Sequence, residues 1–199
     1  MNSPEARSPC PTEWKRAKQA REDLIGRAGA ARAPAAQRAA RAVMAQAECE
    51  HRRFAGWRVE VGSQGIMAAE LRGLRRAYLG ARTLYEESAG YGDPAASVGA
   101  WARLADLNMA FATKLDQLPT PVDVHDPGAR ADYRRQMREV MSTFEIEAAL
   151  AATRALDAAG PDASEGAQLA SWVRASCEKL AVLDPESLAG YPACGEEIR

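Results

Sequence analysis

The segment at residues 100–115 constrains the fold of this chain more than any other part of its sequence. Within it, Trp101, Leu104, Ala105 and Asn108 follow the i, i+3, i+4, i+7 spacing of one helix face. An aromatic residue followed by a leucine and a small residue lets a second helix pack closely on that face. The segment therefore predicts a helix that works by packing against other helices.

Composition extends this prediction to the rest of the chain. Hydrophobic residues make up 47% of the 199 residues but aromatic residues only 6%, because alanine, the strongest helix former, contributes so many of them. The nearest approach to a β-strand pattern, at residues 57–67, is short and contains two glycines. We therefore expect an all-α fold of about six helices, in which helical hairpins stack as a short solenoid or bundle.

Proline- and glycine-containing segments divide the chain into four predicted regions. Residues 1–11, which are rich in proline and serine, are predicted to be disordered, and residues 12–58 to form a helical hairpin. Helical repeats follow at residues 64–183, interrupted by a loop rich in proline and aspartate at residues 118–130. Residues 184–199 are expected to form a C-terminal tail.

The helix around Trp101 resembles the first helix of a tetratricopeptide repeat. That family shows W-x2-L-G-x2-Y spacing there, and this chain has Trp101-x2-Leu104-Ala105-x2-Asn108. The family's second helix carries small, aromatic and small residues before a proline, and the residues that look like that set are Ala81, Tyr85, Ser88 and Pro94. The family's 34-residue period is broken by the loop at residues 118–130. The resemblance covers residues 35–195, and it extends to the ends of large tetratricopeptide-like proteins of bacteria.

This resemblance implies a non-enzymatic scaffold or adaptor that binds another protein, as part of a larger bacterial complex. In the family's best-understood binding mode, lysine and asparagine side chains hold a partner's C-terminal carboxylate. Here the matching positions are Ala102 and Asp106, so we expect that clamp to be absent. A groove formed by residues 64–159 would then hold the partner, and the residues expected to line it are Tyr85, Trp101, Asn108 and Met109.

The charge distribution leaves a nucleic-acid-binding alternative open. Residues 1–60 contain 12 Lys/Arg and 7 Asp/Glu, a net charge of +5, whereas residues 121–199 contain 8 and 14, a net charge of −6. A basic N-terminal hairpin could contact phosphates if its arginines shared one face. Our preferred interpretation is that these arginines coat the outer faces of alanine-rich helices, so we do not expect nucleic acid to be the partner.

The second alternative is a metal-binding helical bundle. Glu48 and His51 have the Glu-x-x-His spacing of di-metal four-helix proteins, but such a site needs a second copy, and His125, the only other histidine, has Val122 three residues before it. We therefore interpret His51 as a partly buried residue bonded to a neighbouring helix. No glycine-rich phosphate loop or nucleophile–base arrangement was found, and we predict no catalytic, cofactor-binding or metal-binding residues.

The four cysteines show no metal-ligand spacing. Our preferred interpretation is that all four are unpaired thiols in a reducing compartment, although Cys177 and Cys194 could meet across the C-terminal turn in an exported protein. The first residues lack the apolar core of a signal peptide, and no segment has the roughly 20 apolar residues needed to cross a bilayer. These features predict a cytoplasmic location.

Overall fold

A computed structural model describes residues 10–160 and 166–197, and within these ranges every regular element is helical. A short 3-10 turn at Gly29–Ala31 separates the first two α-helices. The helices are α1 (Pro11–Ile25), α2 (Arg32–Gly56), α3 (Gln64–Gly90), α4 (Pro94–Asp116), α5 (Pro127–Ala159), α6 (Ala167–Leu183), α7 (Pro185–Leu188) and α8 (Pro192–Glu197). The predicted all-α class is confirmed.

Proline and glycine set several of the helix boundaries. Proline opens α1, α4, α5 and α7, at a position where its missing N–H leaves no intrahelical hydrogen bond unmade. Asp126 caps α5 by accepting a hydrogen bond from the backbone N–H of Ala129 at 2.7 Å. At the other end of α5, Gly160 has φ = 65°, a left-handed conformation that suits glycine and stops the helix.

The α4 helix is the centre of the assembly. Each long helix packs against the next one along the chain, and α4 also packs against α2 and α6, the next-but-one helices on either side. α1 packs on α2 at one end, and α7 and α8 pack on α6 at the other. The helix predicted from the spacing around Trp101 is therefore the one that holds the stack together.

An aromatic cluster from four helices forms the middle of the core. The rings of Phe54 and Phe111 stack with their centroids 5.8 Å apart, and the ring of Phe144 lies 4.3 Å from that of Phe111. Tyr78 meets Phe144 edge-on at 5.3 Å, and its hydroxyl donates to Oδ1 of buried Asn108 at 2.8 Å. Edge-on and offset contacts of this kind add to the free energy of apolar burial.

Two disulfides contradict the prediction of unpaired thiols. Cys10 is bonded to Cys49, with their Cα atoms 6.1 Å apart, and Cys177 is bonded to Cys194 at a Cα separation of 5.4 Å. The second pairing is the alternative that the sequence left open. The first arises because α1 and α2 pack together, which brings the start of α1 beside the second half of α2.

The predicted boundaries differ from the structure at both ends of the chain. Cys10 is buried and α1 begins at Pro11, inside the segment predicted to be disordered, while residues 1–9 lie outside the described part. The predicted tail contains two short helices, α7 and α8, held to α6 by packing and by the Cys177–Cys194 disulfide. Among the described residues, no helix combines the length and hydropathy needed to span a membrane.

Candidate functional site

A groove of about 600 Å³ runs between α5 and the junction of α6 with α7. We call it the α5–α7 groove. Both α5 and the α6–α7 junction contribute apolar side chains to its lining, and its edges carry hydroxyl and carboxylate groups. The ten lining residues are Ser142, Glu145, Ile146, Ala149, Leu150, Thr153, Val182, Leu183, Asp184 and Ser187.

The α5 side of the groove presents large hydrophobic side chains to solvent. Ile146 is 62% exposed and Leu150 is 54% exposed, and their i, i+4 spacing places them one turn apart on the same face. The opposite face of this part of α5 is buried through small residues such as Ala148, Ala152 and Ala155. Because small residues make the contact with the core in this part of α5, Ile146 and Leu150 are left on the outside.

The opposite wall is formed by the end of α6 and the start of α7. Val182 is 79% exposed, whereas Leu183 next to it packs against the core. Asp184 caps α7 by accepting hydrogen bonds from the backbone N–H and the hydroxyl of Ser187, at 3.3 and 2.6 Å. The wall is therefore formed by the end of α6, which packs against the core, and by the short, capped helix α7 that follows it.

Two long-range links hold the segment that follows this wall. The Cys177–Cys194 disulfide joins α8 to α6, and the hydroxyl of Tyr191 donates to Oδ1 of Asp157 on α5 at 2.8 Å. Together they connect the C-terminal segment to both helices that flank the groove. The segment after α7 is therefore tied covalently to α6 and by a hydrogen bond to α5.

The electrostatic character of the α5–α7 groove is acidic. Glu145 and Asp184 lie among its ten lining residues, which include no lysine or arginine. Glu178 is exposed one turn before Val182 on α6, and Glu186 is exposed on α7. The rim therefore combines an apolar centre with carboxylates at its edges.

A second candidate surface is a row of charged side chains across α2, α4 and α6. Arg103 contacts Glu48 and Asp106, both at 3.4 Å, and Nζ of Lys179 lies 2.6 Å from Oδ1 of Asp106. These charges neutralise one another within the row. Asp106 is engaged in these ion pairs, and Ala102 is buried.

His51 lies beside this row and is bonded to a neighbouring helix, as the sequence predicted. Its Nδ1 atom and the hydroxyl of Tyr85 on α3 are 3.0 Å apart. Burial lowers the pKa of His51 below its usual value of 6.5. Glu48 is paired with Arg103, and the described residues contain no group of three or more His, Cys, Asp and Glu side chains placed to hold a metal ion.

A third feature is a cleft of about 620 Å³ between the α1–α2 turn and the α3–α4 turn. Its polar lining includes Arg32, Gln37 and Asp93, and the last two are joined by a 3.4 Å hydrogen bond. None of the exposed large hydrophobic side chains belongs to this cleft. The α5–α7 groove is therefore the better candidate for binding another protein.

The residues that the sequence predicted to line a groove do not lie in this one. Tyr85 and Asn108 are 0% and 2% exposed, so their side chains belong to the core and are not accessible to a partner. Trp101 is half-buried beneath the guanidinium of Arg154, which lies 4.9 Å from its ring centroid. Met109 is half-buried on α4. Tyr85, Trp101 and Asn108 therefore contribute to the packing of α3 and α4.

Some arginines of the basic N-terminal hairpin are engaged in ion pairs. Arg21 forms a two-point ion pair with Glu87 of α3, at 2.6 and 2.7 Å, and Arg53 pairs with Glu50 within α2. Arg38 and Arg52 are exposed on α2, and their separation of fourteen positions, close to four helical turns, places them on nearly the same side of the helix. The nucleic-acid-binding alternative therefore stays a prediction.

Comparison with known proteins adds no relative: no protein family, curated protein or solved structure matches this chain. The candidate site therefore rests on its own geometry. The residues that sequence reasoning missed are Ile146, Leu150 and Val182. The sequence did contain a signal for the first two. They are large hydrophobic residues at i, i+4 spacing in a helix made largely of alanine and charged residues.

Proposed function

We propose that this chain is a non-enzymatic, tetratricopeptide-like scaffold that binds another protein in the α5–α7 groove. The observation that carries the proposal is the exposure of three large hydrophobic side chains, Ile146, Leu150 and Val182, around a single concave surface. Concentrated apolar surface rimmed by polar residues is typical of protein-interaction sites.

The arrangement of the helices supports a repeat-like architecture. Contacts between successive helices and between alternate helices, such as α2 with α4 and α4 with α6, are typical of stacked helical hairpins. The uneven helix lengths, from 15 residues in α1 to 33 in α5, depart from a regular repeat. The proposed architecture is accordingly a short, degenerate stack.

The concentration of exposed apolar side chains on one group of helices also supports a binding role. The helices α5, α6 and α7 present Ile146, Leu150 and Val182 to solvent. A partner that covers these side chains would remove their apolar surface from water.

The two disulfides indicate the kind of compartment in which the protein is located. Disulfides persist in oxidising compartments and are rare in reducing cytosol. We therefore propose an oxidising compartment in place of the cytoplasmic location predicted from the sequence. Thiol labelling of protein trapped with acid from its source cells tests this: two intact disulfides agree with it, and four labelled cysteines contradict it.

Site-specific photo-crosslinking tests the binding function itself. A benzophenone side chain at position 146 should crosslink a discrete partner in source cells, while the same group at position 79 should not. Leu79 on α3 is a matched control because it is also hydrophobic and 42% exposed. Leu150→Glu should abolish the crosslink from position 146. Equal crosslinking at both positions would contradict a binding role for the groove.

A further inference from the structure

We infer that the occupant of the α5–α7 groove is a basic amphipathic helix of a separate protein. This inference rests on the proposed function and adds the chemistry of the partner. It follows from three properties of the described residues: the length of the groove, the spacing of its apolar side chains and the sign of the charge at its rim.

The dimensions of the groove suit a short helix. From Ser142 to Thr153 the α5 wall covers about 16 Å, at 1.5 Å of rise per residue, which is about three helical turns. Ala149 lies between the exposed side chains of Ile146 and Leu150, and its small side chain allows a close approach. A helix in a groove is anchored by apolar residues at i, i+3 or i+4 and i+7, and three turns provide this set.

The charge at the rim selects a basic partner. Carboxylates stand at both walls, at Glu145 on α5 and Asp184 at the start of α7, with exposed Glu178 and Glu186 beyond them. Residues 121–199 as a whole carry 14 acidic and 8 basic side chains. Lysines or arginines that flank the partner's apolar face would meet these carboxylates, whereas acidic flanks would be repelled.

A second copy of this chain is a poorer occupant. Pairing two grooves face to face would bring Glu145 and Asp184 of one copy against the same acidic surface of the other. The basic N-terminal hairpin has the right charge, but Ile25 is its one exposed large hydrophobic side chain within residues 10–58. A single isoleucine does not supply the apolar face that a groove of about 600 Å³ accepts.

Binding of synthetic peptides tests the inference directly. The probe is a fluorescein-labelled peptide of about 18 residues, long enough to span the three turns, with leucines at helical i, i+3, i+4 and i+7 spacing and lysines elsewhere. One control peptide has the same composition in scrambled order, and a second has glutamate in place of lysine. Fluorescence anisotropy with the full chain, disulfides intact, should show binding of the basic amphipathic peptide at least about tenfold tighter than of either control.

Variants of the chain test whether the peptide binds in the α5–α7 groove. Ile146→Ser together with Leu150→Ser should weaken binding about tenfold or more, and Leu79→Ser should leave it unchanged. Glu145→Lys with Glu186→Lys should weaken binding of the basic peptide and strengthen binding of the acidic one. Both groups of variants change exposed or half-exposed side chains, so circular dichroism should show unchanged helicity.

The outcomes separate this inference from the proposed function. If position 146 crosslinks a partner but the basic peptide binds no better than its controls, the partner chemistry is wrong and the scaffold function stands. If the peptide binds but the groove variants and Leu79→Ser bind equally well, the assignment to the groove is overturned. If neither crosslinking nor peptide binding is seen, both proposals fail.

Discussion

The indole ring of Trp172 on α6 lies directly against the backbone of Gly99 on α4. A β-carbon built on Gly99 would come within 2.6 Å of the Cη2 atom of Trp172, closer than atoms can pack. The small size of Gly99 thus sets how closely α6 approaches the central helix. Because the end of α6 forms one wall of the α5–α7 groove, this contact also helps to position the groove.

Substitution of Gly99 should therefore destabilise the protein. We expect Gly99→Ala to lower the free energy of unfolding by about 1–3 kcal/mol, because the added methyl must displace a rigid indole. Gly80→Ala in α3 is the control: no neighbouring atom lies within 4 Å of its β-carbon, so higher helix propensity should stabilise the protein by up to about 1 kcal/mol. Urea denaturation measures both. Stabilisation by Gly99→Ala would show that α6 packs differently.

The disulfides should stabilise the folded chain to different extents. The sequence separations are 39 residues for Cys10–Cys49 and 17 for Cys177–Cys194. From the entropy of the unfolded chain, we expect paired serine substitutions to cost about 4 and about 3 kcal/mol respectively. Chemical denaturation in the absence of reductant measures these losses, and dithiothreitol should not further destabilise a chain that lacks all four cysteines.

The Cys177–Cys194 pair should also affect the groove. Replacing both residues with serine releases α8 from its covalent link to α6, so crosslinking from position 146 should decrease. The Cys10–Cys49 variant is the control, because that disulfide joins α1 to α2 at the far end of the stack. An equal loss of crosslinking in both variants would point to general destabilisation.

His51 should make stability depend on pH in a window below neutrality. Burial lowers its pKa in the folded chain, so the unfolded chain takes up a proton at a higher pH than the folded chain does. Neutral His51 therefore makes its full contribution to the free energy of unfolding above about pH 6.5. This contribution declines as the pH falls toward the lower pKa of His51 in the folded chain. His51→Gln should flatten this part of the stability profile.

A second titrating group, Glu87, must be distinguished from His51. The window lies above the range in which Glu87 titrates: burial opposes its ionisation, but hydrogen bonds from Arg21 and Tyr91 outweigh burial and lower its pKa. Unfolding by urea at a series of pH values separates the two groups. An unaltered slope in His51→Gln would refute the assignment.

Asn108 should act through stability and not through partner binding. Asn108→Ala removes one of the two acceptors for the Tyr78 hydroxyl, the other being Glu147, and leaves a small cavity, so we expect a loss of about 2 kcal/mol in the free energy of unfolding. Peptide affinity of the folded fraction should stay unchanged, because the α5–α7 groove does not include Asn108. A selective loss of affinity at wild-type stability would support the surface role that the sequence predicted.

Several parts of this protein followed from its sequence alone. The spacing of Trp101, Leu104, Ala105 and Asn108 predicted a packing helix, and that helix is the central one. The segments with proline and glycine placed the ends of the predicted helical regions, at residues 12–58 and 64–183, close to helix ends in the structure, because the backbone restrictions of these residues act locally. The bond between His51 and a neighbouring helix was also predictable, since a lone histidine among alanines needs a polar partner once it is partly buried.

Whether a helix face is core or surface depends on how the helices pack in three dimensions. Helical periodicity shows that residues share a face, but it does not show whether another helix covers that face. Tyr85 and Asn108 are buried because helices far apart in sequence meet over them, whereas Ile146 and Leu150 are exposed because no described helix packs on their side of α5. The cysteines followed the same rule: Cys10 and Cys49 are 39 positions apart, and only the packing of α1 on α2 brings their sulfur atoms together.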